Sequence, residues 1–185
     1  MIRATTVCIL LLLAAIPARE ATAGVEPVAT GAYRVEFAVV LPGTPEAIYD
    51  AITGDISGWW DHSFSPKPRR LYLEPKPGGG FYEIFNDRGD GALHATVIYA
   101  ERGKQLRFEG PLGLSGRAVQ NVVTYTLSPE GADSTRLGLS VHISGEIDQA
   151  TAVTVEKVWR HFLVERFAPY VQAGGHRNRP AGSVH

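Results

Sequence analysis

Two polar side chains stand where strand alternation calls for apolar ones. In "GFYEIFN" the two-residue period puts Phe81, Glu83 and Phe85 on one face, and in "QNVVTYTLS" it puts Asn121, Val123, Tyr125 and Leu127 together. A carboxylate on an apolar sheet face has to be paired or hydrogen-bonded to remain there, which makes Glu83 the candidate acid or base. Tyr99, Tyr125 and Asn121 are the groups available to orient a carbonyl beside it. Two other arrangements are open: Glu83 near a strand end, or the opposite register with Tyr82 and Ile84 inward. Arg107 alternates with Leu106 and Phe108 and is expected outside, although a bulge in its strand would make it the partner of Glu83.

The histidines follow the same rule. In "ALHATVIYA" the more apolar face carries Leu93, Ala95, Val97 and Tyr99, which leaves His94 and Thr96 on the other. In "STRLGLSVHIS" Leu137, Leu139, Val141 and Ile143 share a face, with Arg136, Ser140 and His142 opposite. Both histidines are therefore expected in solvent. With no third ligand converging on them, no metal site is expected. "KPGGG" lacks the strand-loop-helix context and the following Ser or Thr of a phosphate loop, so its glycines are assigned to a tight turn. No nucleophile elbow, His-Glu-x-x-His or dinucleotide fingerprint occurs, and no cofactor is expected.

"SGWWDHSFSPKP" holds two of the chain's three tryptophans. Neighbouring residues on a helix or turn diverge by about 100°, so Trp59 and Trp60 cannot serve one packing site. One is expected to cap the core and the other to face a cavity mouth, the alternative being that both fill core. Asp61-His62 invites a catalytic reading that a solvated helix end explains equally well.

The elements that must position these residues are legible in order. "YRVEFAVVL" alternates as a strand with Tyr33, Val35, Phe37 and Val39 on one face. "GTPEAIYDAITGD" has Thr44 as N-cap, Pro45 at the first helical position, Glu46 in the first turn and Gly54 as a stop, with Ile48 and Ile52 inward. Six strands follow, "RRLYLEP", "GFYEIFN", "ALHATVIYAE", "KQLRFEG", "QNVVTYTLS" and "STRLGLSVHIS", mostly joined by Gly, Asp and Pro clusters. "GPLGLSGRAV" is the exception: a plain hairpin has no need of Leu112 and Leu114. Asp148 caps a last, long helix whose apolar stripe runs through Val155, Val158, Trp159, Phe162, Leu163, Phe167, Tyr170 and Val171, and Pro169 is expected to kink or shorten its final turn. The result is an α+β fold: a curved antiparallel sheet of about seven strands over one long amphipathic helix, with two short helices after the first strand.

At the N-terminus, Arg3, the apolar run Val7 to Ile16 and Ala21-Thr22-Ala23 read as a signal peptide over residues 1-23, followed by a linker over 24-32. The run is too short to span a membrane, so no stable membrane anchor is expected, and localisation is periplasmic or secreted after cleavage near Ala23. Cys8, the single cysteine, would leave with the peptide, excluding disulfides and thiol chemistry from the mature chain. Without Arg3, Arg19 and Glu20 the net charge is −2; with "KPRR" as the sole local basic excess, nucleic acid is excluded as a partner. The body over 33-173, about 140 residues, is long enough for a single core, and 174-185 is expected as a disordered tail.

"EAIYDAIT" followed by "ISGWW", the "EPKPGGGFYEIF" hairpin, "LRFEG" and "VEKVWRHFLVERFAPYV" resemble, in order, the START-like or SRPBCC superfamily of helix-grip proteins, and within it the bacterial proteins similar to heat-shock-chaperone ATPase activators. The likeness covers essentially the whole mature domain. It implies a hydrophobic cavity, with Trp59 or Trp60, Leu112, Leu114 and Phe162 at its rim. The superfamily includes lipid carriers, hormone receptors, polyketide cyclases, oxygenase domains and co-chaperones, so three functions are set in order. The first is an exported module binding a small hydrophobic molecule, with Trp59, Trp60, Phe81, Glu83, Tyr99, Leu112, Leu114, Asn121, Tyr125 and Phe162 as its contacts. The second is a cyclase- or hydrolase-like cavity enzyme using Glu83. The third is a co-chaperone, which export argues against.

Overall fold

A computed structural model describes residues 25–175. Residues 1–24, which hold the expected signal peptide, and 176–185, most of the expected tail over 174-185, lie outside the described residues. No helix among those described is long and apolar enough to cross a membrane.

The alternating strands assemble into one antiparallel sheet of eight rather than about seven: β1 (Gly31–Pro42), β2 (Gly54–Asp55), β3 (Arg70–Leu73), β4 (Gly80–Ile84), β5 (Gly91–Glu101), β6 (Gln105–Gly110), β7 (Val119–Pro129) and β8 (Ser134–Gly145). Their spatial order is β1-β8-β7-β6-β5-β4-β3-β2. The meander β2 to β8 is thus closed at one end by the first strand. The added strand, β2, pairs Gly54 with Leu73 and Asp55 with Tyr72.

Between β1 and β2 lies α1 (Pro45–Ile52), with Thr44 capping the Ala47 amide through its side chain. Ile48 and Ile52 are fully buried, as their four-residue spacing requires. No second short helix follows. Gly54 sits at φ +70°, which ends the helical path, and the chain pairs with β3 before turning. The amides of Trp59 and Trp60 both reach the Ile56 carbonyl, at 3.2 and 2.9 Å, so the tryptophan pair sits on a tight turn.

The terminal helix runs as α2 (Gln149–Arg160), a π-helical stretch (His161–Phe167) and α3 (Ala168–Gln172). Asp148 Oδ1 accepts the Thr151 amide at 2.8 Å, forming the expected N-cap. Pro169 neither stops nor shortens the helix: the ladder widens ahead of it, the Ala168 amide reaching the Leu163 carbonyl. Trp159, Phe162, Leu163, Phe167 and Val171 all face the sheet and share one core with α1 and the inward residues of β3 to β8.

Two irregularities in β5 set the position of everything near it. Opposite β4, Phe81 pairs with Ala95 but Tyr82 pairs with Leu93, so His94 is an extra residue in the ladder. Opposite β6, Val97 pairs with Phe108 and Tyr99 with Arg107, so Ile98 is extra as well. Each bulge inverts the faces of the residues around it. The first also forces Gly110 to be glycine: a Cβ there would lie 2.5 Å from the His94 carbonyl oxygen and 2.7 Å from Ala95 Cα. Backbone on both sides cannot give way cheaply, so Gly110→Ala is expected to cost about 1–3 kcal/mol, measured as a lower urea midpoint at unchanged m-value.

Candidate functional site

The space between sheet and terminal helix holds a cavity of about 530 Å³. Trp60, Phe81, Trp159 and Phe162 supply its aromatic wall, Val155 and Val158 line the helix side, and Leu112 and Leu114 reach in from the β6–β7 loop. Trp60 stacks on Phe162 with ring centroids 3.8 Å apart and meets Phe81 edge-on at 5.0 Å. Its indole N–H is engaged by the His62 carbonyl at 2.7 Å, which orients the ring. Leu112 holds φ +52°, a backbone conformation costly for a branched side chain, in the loop that covers the cavity.

Of the expected contacts, Trp60, Phe81, Leu112, Leu114, Asn121 and Phe162 line this space. Four do not. Trp59 is buried against Phe167, centroids 4.8 Å apart, and fills core; its indole N–H has no hydrogen-bond partner among the described residues. Simple alternation places Tyr99 inward, yet the bulge at Ile98 turns it out, 41% exposed, where its hydroxyl donates to Glu101. Tyr125 is inward but lies beneath the cavity wall between Phe108 and Trp159, and burial pushes its phenol well above the usual range, so it stays protonated. Glu83 is inward and fully buried, but a second residue stands between its role and the cavity.

That residue is His94, which strict alternation assigned to solvent. The β5 bulge brings it inside, 6% exposed, while Leu93 takes the outer face at 53%. His94 Nε2 is 2.9 Å from Glu83 Oε2. The Phe64 amide donates to Oε2 at 3.0 Å and the Ser65 amide to Oε1 at 2.7 Å. A buried carboxylate with three N–H neighbours is the satisfied state that an apolar face demands. Arg107 plays no part, since its guanidinium donates to Thr124 on the outer face. The sequence signal for His94 was the exchange itself: a leucine beside a histidine in a strand where one bulge decides which of the two is buried.

Asn121 lines the cavity from β7 and directs its amide N–H groups to the Gly110 and Pro111 carbonyls, both at 3.2 Å. It thereby ties the base of the β6–β7 loop to the sheet.

At the mouth, Asp61 and His62 approach the π-helical stretch. Both Asp61 oxygens lie about 3 Å from His161 Nε2, Glu165 Oε2 is 2.8 Å from His161 Nδ1, and Arg166 Nε is 3.1 Å from Asp61. Ligand-type atoms of Asp61, His62 and His161 fall within 4.8 Å of one another, the types that hold cations, but Arg166 already places a positive charge on Asp61. The group therefore acts as a clasp between the loop after Trp60 and the terminal helix. Hydrogen bonds donated to Glu165 and then to Asp61 raise His161 above its ordinary 6.5. Partial burial pushes Asp61 up, but the hydrogen bond and charge of His161, with Arg166, outweigh it and hold Asp61 below its ordinary 3.8. The raised histidine stabilises fully below its unfolded value and fades as pH rises through its folded value; the lowered aspartate stabilises above its unfolded value and fades as pH falls through its folded one. The stability difference between wild type and His161→Gln is thus expected to be largest from about pH 4 to pH 6.5 and to shrink above it, read from urea midpoints across pH.

The chain matches no family model and no curated protein. Solved structures do resemble it. MLL2253 from Mesorhizobium loti is 21% identical at a TM-score of 0.54, over 80% of this chain and 100% of that one. EF2215 from Enterococcus faecalis, a conserved protein of unknown function, is 13% identical at a TM-score of 0.55, over 76% and 71%. DynU16, a protein of the dynemicin biosynthetic locus, is 21% identical at a TM-score of 0.53 over 76% of this chain, which spans about half (48%) of DynU16's length. At these identities the likeness is one of fold: a curved antiparallel sheet closed over a long C-terminal helix, the helix-grip arrangement.

Proposed function

We propose that this chain is an exported START-like protein that binds a small hydrophobic molecule between sheet and helix, as a carrier or sequestering module. The observation that carries the reading is the roughly 530 Å³ cavity walled by Trp60, Phe81, Trp159 and Phe162. Its size suits a drug-sized ligand, and its few polar groups are set among aromatic rings, as in sites that recognise small molecules. The motifs shared with START-like proteins support the same reading, and the run Val7 to Ile16 followed by Ala21-Thr22-Ala23 supports export. Native mass spectrometry of protein recovered gently from a periplasm tests both parts. The expected result is a chain beginning at Gly24 that carries an additional small-molecule mass. An uncleaved chain overturns export, and failure to take up any apolar ligand offered overturns the cavity reading.

A second reading, a cyclase- or hydrolase-like enzyme, is favoured by one observation, the Glu83–His94 pair beside the cavity. In it the imidazole meets the substrate and Glu83 orients it. Glu83→Gln would then depress the turnover of any substrate found, and unchanged turnover removes the pair from the mechanism.

A further inference from the structure

The pair at the cavity wall identifies the kind of molecule the cavity is built for, an inference that rests on the binding reading above. We propose that His94, fixed by Glu83, is the polar anchor of the cavity and accepts a hydrogen bond from the hydroxyl of an uncharged, ring-bearing ligand, a phenol or enol.

Three observations converge on it. Backbone amides only donate, so both Glu83 oxygens serve as acceptors toward Phe64 and Ser65, and His94 presents its Nε2 proton to the same carboxylate. In the neutral imidazole the proton then sits on Nε2 and the lone pair on Nδ1, which has no partner among the described residues. His94 lines the cavity between the Phe64 and Phe81 rings, at 4.9 and 5.0 Å, so the acceptor is framed by aromatic faces.

The second observation is the state of the other polar groups. The Asn121 amide nitrogen is committed to two carbonyls, which leaves its oxygen as the group free to accept. Ser63 and Thr154 donate their hydroxyls to the Ser65 and Ala150 carbonyls. No lysine or arginine lines the cavity, and the carboxylate of Asp61 stands at its edge. His62 and Thr151 complete the polar lining, and a wall rich in acceptors and without lysine or arginine suits a ligand that brings its own donors and disfavours one that brings a carboxylate.

The third is the cost of the arrangement. The bulge buries a histidine and exposes a leucine, the reverse of what packing favours, and it obliges Gly110 to be glycine. A local choice that opposes the core is expected where a site needs it.

Calorimetric titration of the purified protein with 2-naphthol, 2-methoxynaphthalene and 2-naphthoate tests the proposal. The three share a ring system and differ in donating, not donating and carrying charge. Wild type is expected to bind 2-naphthol about tenfold more tightly than the methyl ether, the worth of one hydrogen bond to a buried acceptor, and to bind the naphthoate more weakly still. In His94→Phe the preference for naphthol over its ether should vanish while the ether's own affinity is retained. Should that variant not fold, His94→Met, whose flexible side chain packs more adaptably and which likewise leaves Glu83 with the Phe64 and Ser65 amides, carries the same comparison. Equal affinity for naphthol and ether in wild type, a preference that survives loss of the imidazole, or tighter binding of the naphthoate each overturns the proposal alone. Binding of none of the three overturns the cavity reading, and the anchor with it.

Discussion

Glu83→Ala is expected to destabilise the fold by about 3–5 kcal/mol, far more than its modest change in side-chain volume would suggest. The carboxylate is fully buried and accepts from His94 and from two amides of the loop after Trp60. Truncation leaves three donors without their acceptor in an environment that water enters poorly, and each such group costs about 1–3 kcal/mol. It also releases Phe64 and Ser65, 19 and 18 positions away in sequence, from the strand that holds them. Replacing both members is expected to behave differently. E83L/H94F removes the imidazole donor together with the carboxylate, leaving two orphaned amides instead of three orphaned donors. The double variant should therefore recover the share lost through the unpaired imidazole and no more, because the Phe64 and Ser65 amides remain without an acceptor. Urea unfolding of Glu83→Ala, His94→Phe and the pair gives the coupling directly. A loss below about 0.5 kcal/mol for Glu83→Ala, the range of ordinary surface substitutions, would show that the carboxylate is not held as described.

Val158→Trp is expected to weaken binding of an apolar ring probe such as 2-methoxynaphthalene by about 10- to 100-fold while the protein unfolds at or above the wild-type temperature. Val158 lines the cavity from α2 and is half-buried, so an indole there extends into the space the ligand would occupy. Adding bulk to a filled core costs about 1–3 kcal/mol, and here that cost falls on the bound state, giving the fold-change stated. In the free protein the added ring meets a void rather than packed atoms, so stability is preserved. Two of the native tryptophans, Trp60 and Trp159, also line the cavity, so quenching of intrinsic fluorescence gives an independent binding signal in wild type. Unaltered probe affinity in Val158→Trp would place the ligand elsewhere, and a large fall in unfolding temperature would show that the space is already filled by packing.

Much of this fold is written locally. The Thr44 and Asp148 caps, the Ile48 and Ile52 spacing of α1 and the apolar stripe of the terminal helix each depend on residues within a few positions of one another, and all appear where the chain places them. Regular alternation likewise fixed the inward faces of β7 and β8, from Asn121 to Leu127 and from Leu137 to Ile143. Glu83 was legible for the same reason, since β4 keeps its alternation. Alternation failed in β5, where bulges at His94 and Ile98 arise from how that strand meets β4 on one side and β6 on the other. Whether a strand accommodates an extra residue is settled by its neighbours, so Tyr99 left the site and His94 entered it without any change in the local pattern. The clasp is more remote still: Asp61 and His161 lie 100 positions apart and meet only because the sheet curves beneath the terminal helix. By itself the sequence determined the elements, their faces wherever pairing is regular, and the burial of a carboxylate. Tertiary structure alone decided what that carboxylate holds, because the identity of a partner across a sheet depends on register, and register is a property of several strands at once.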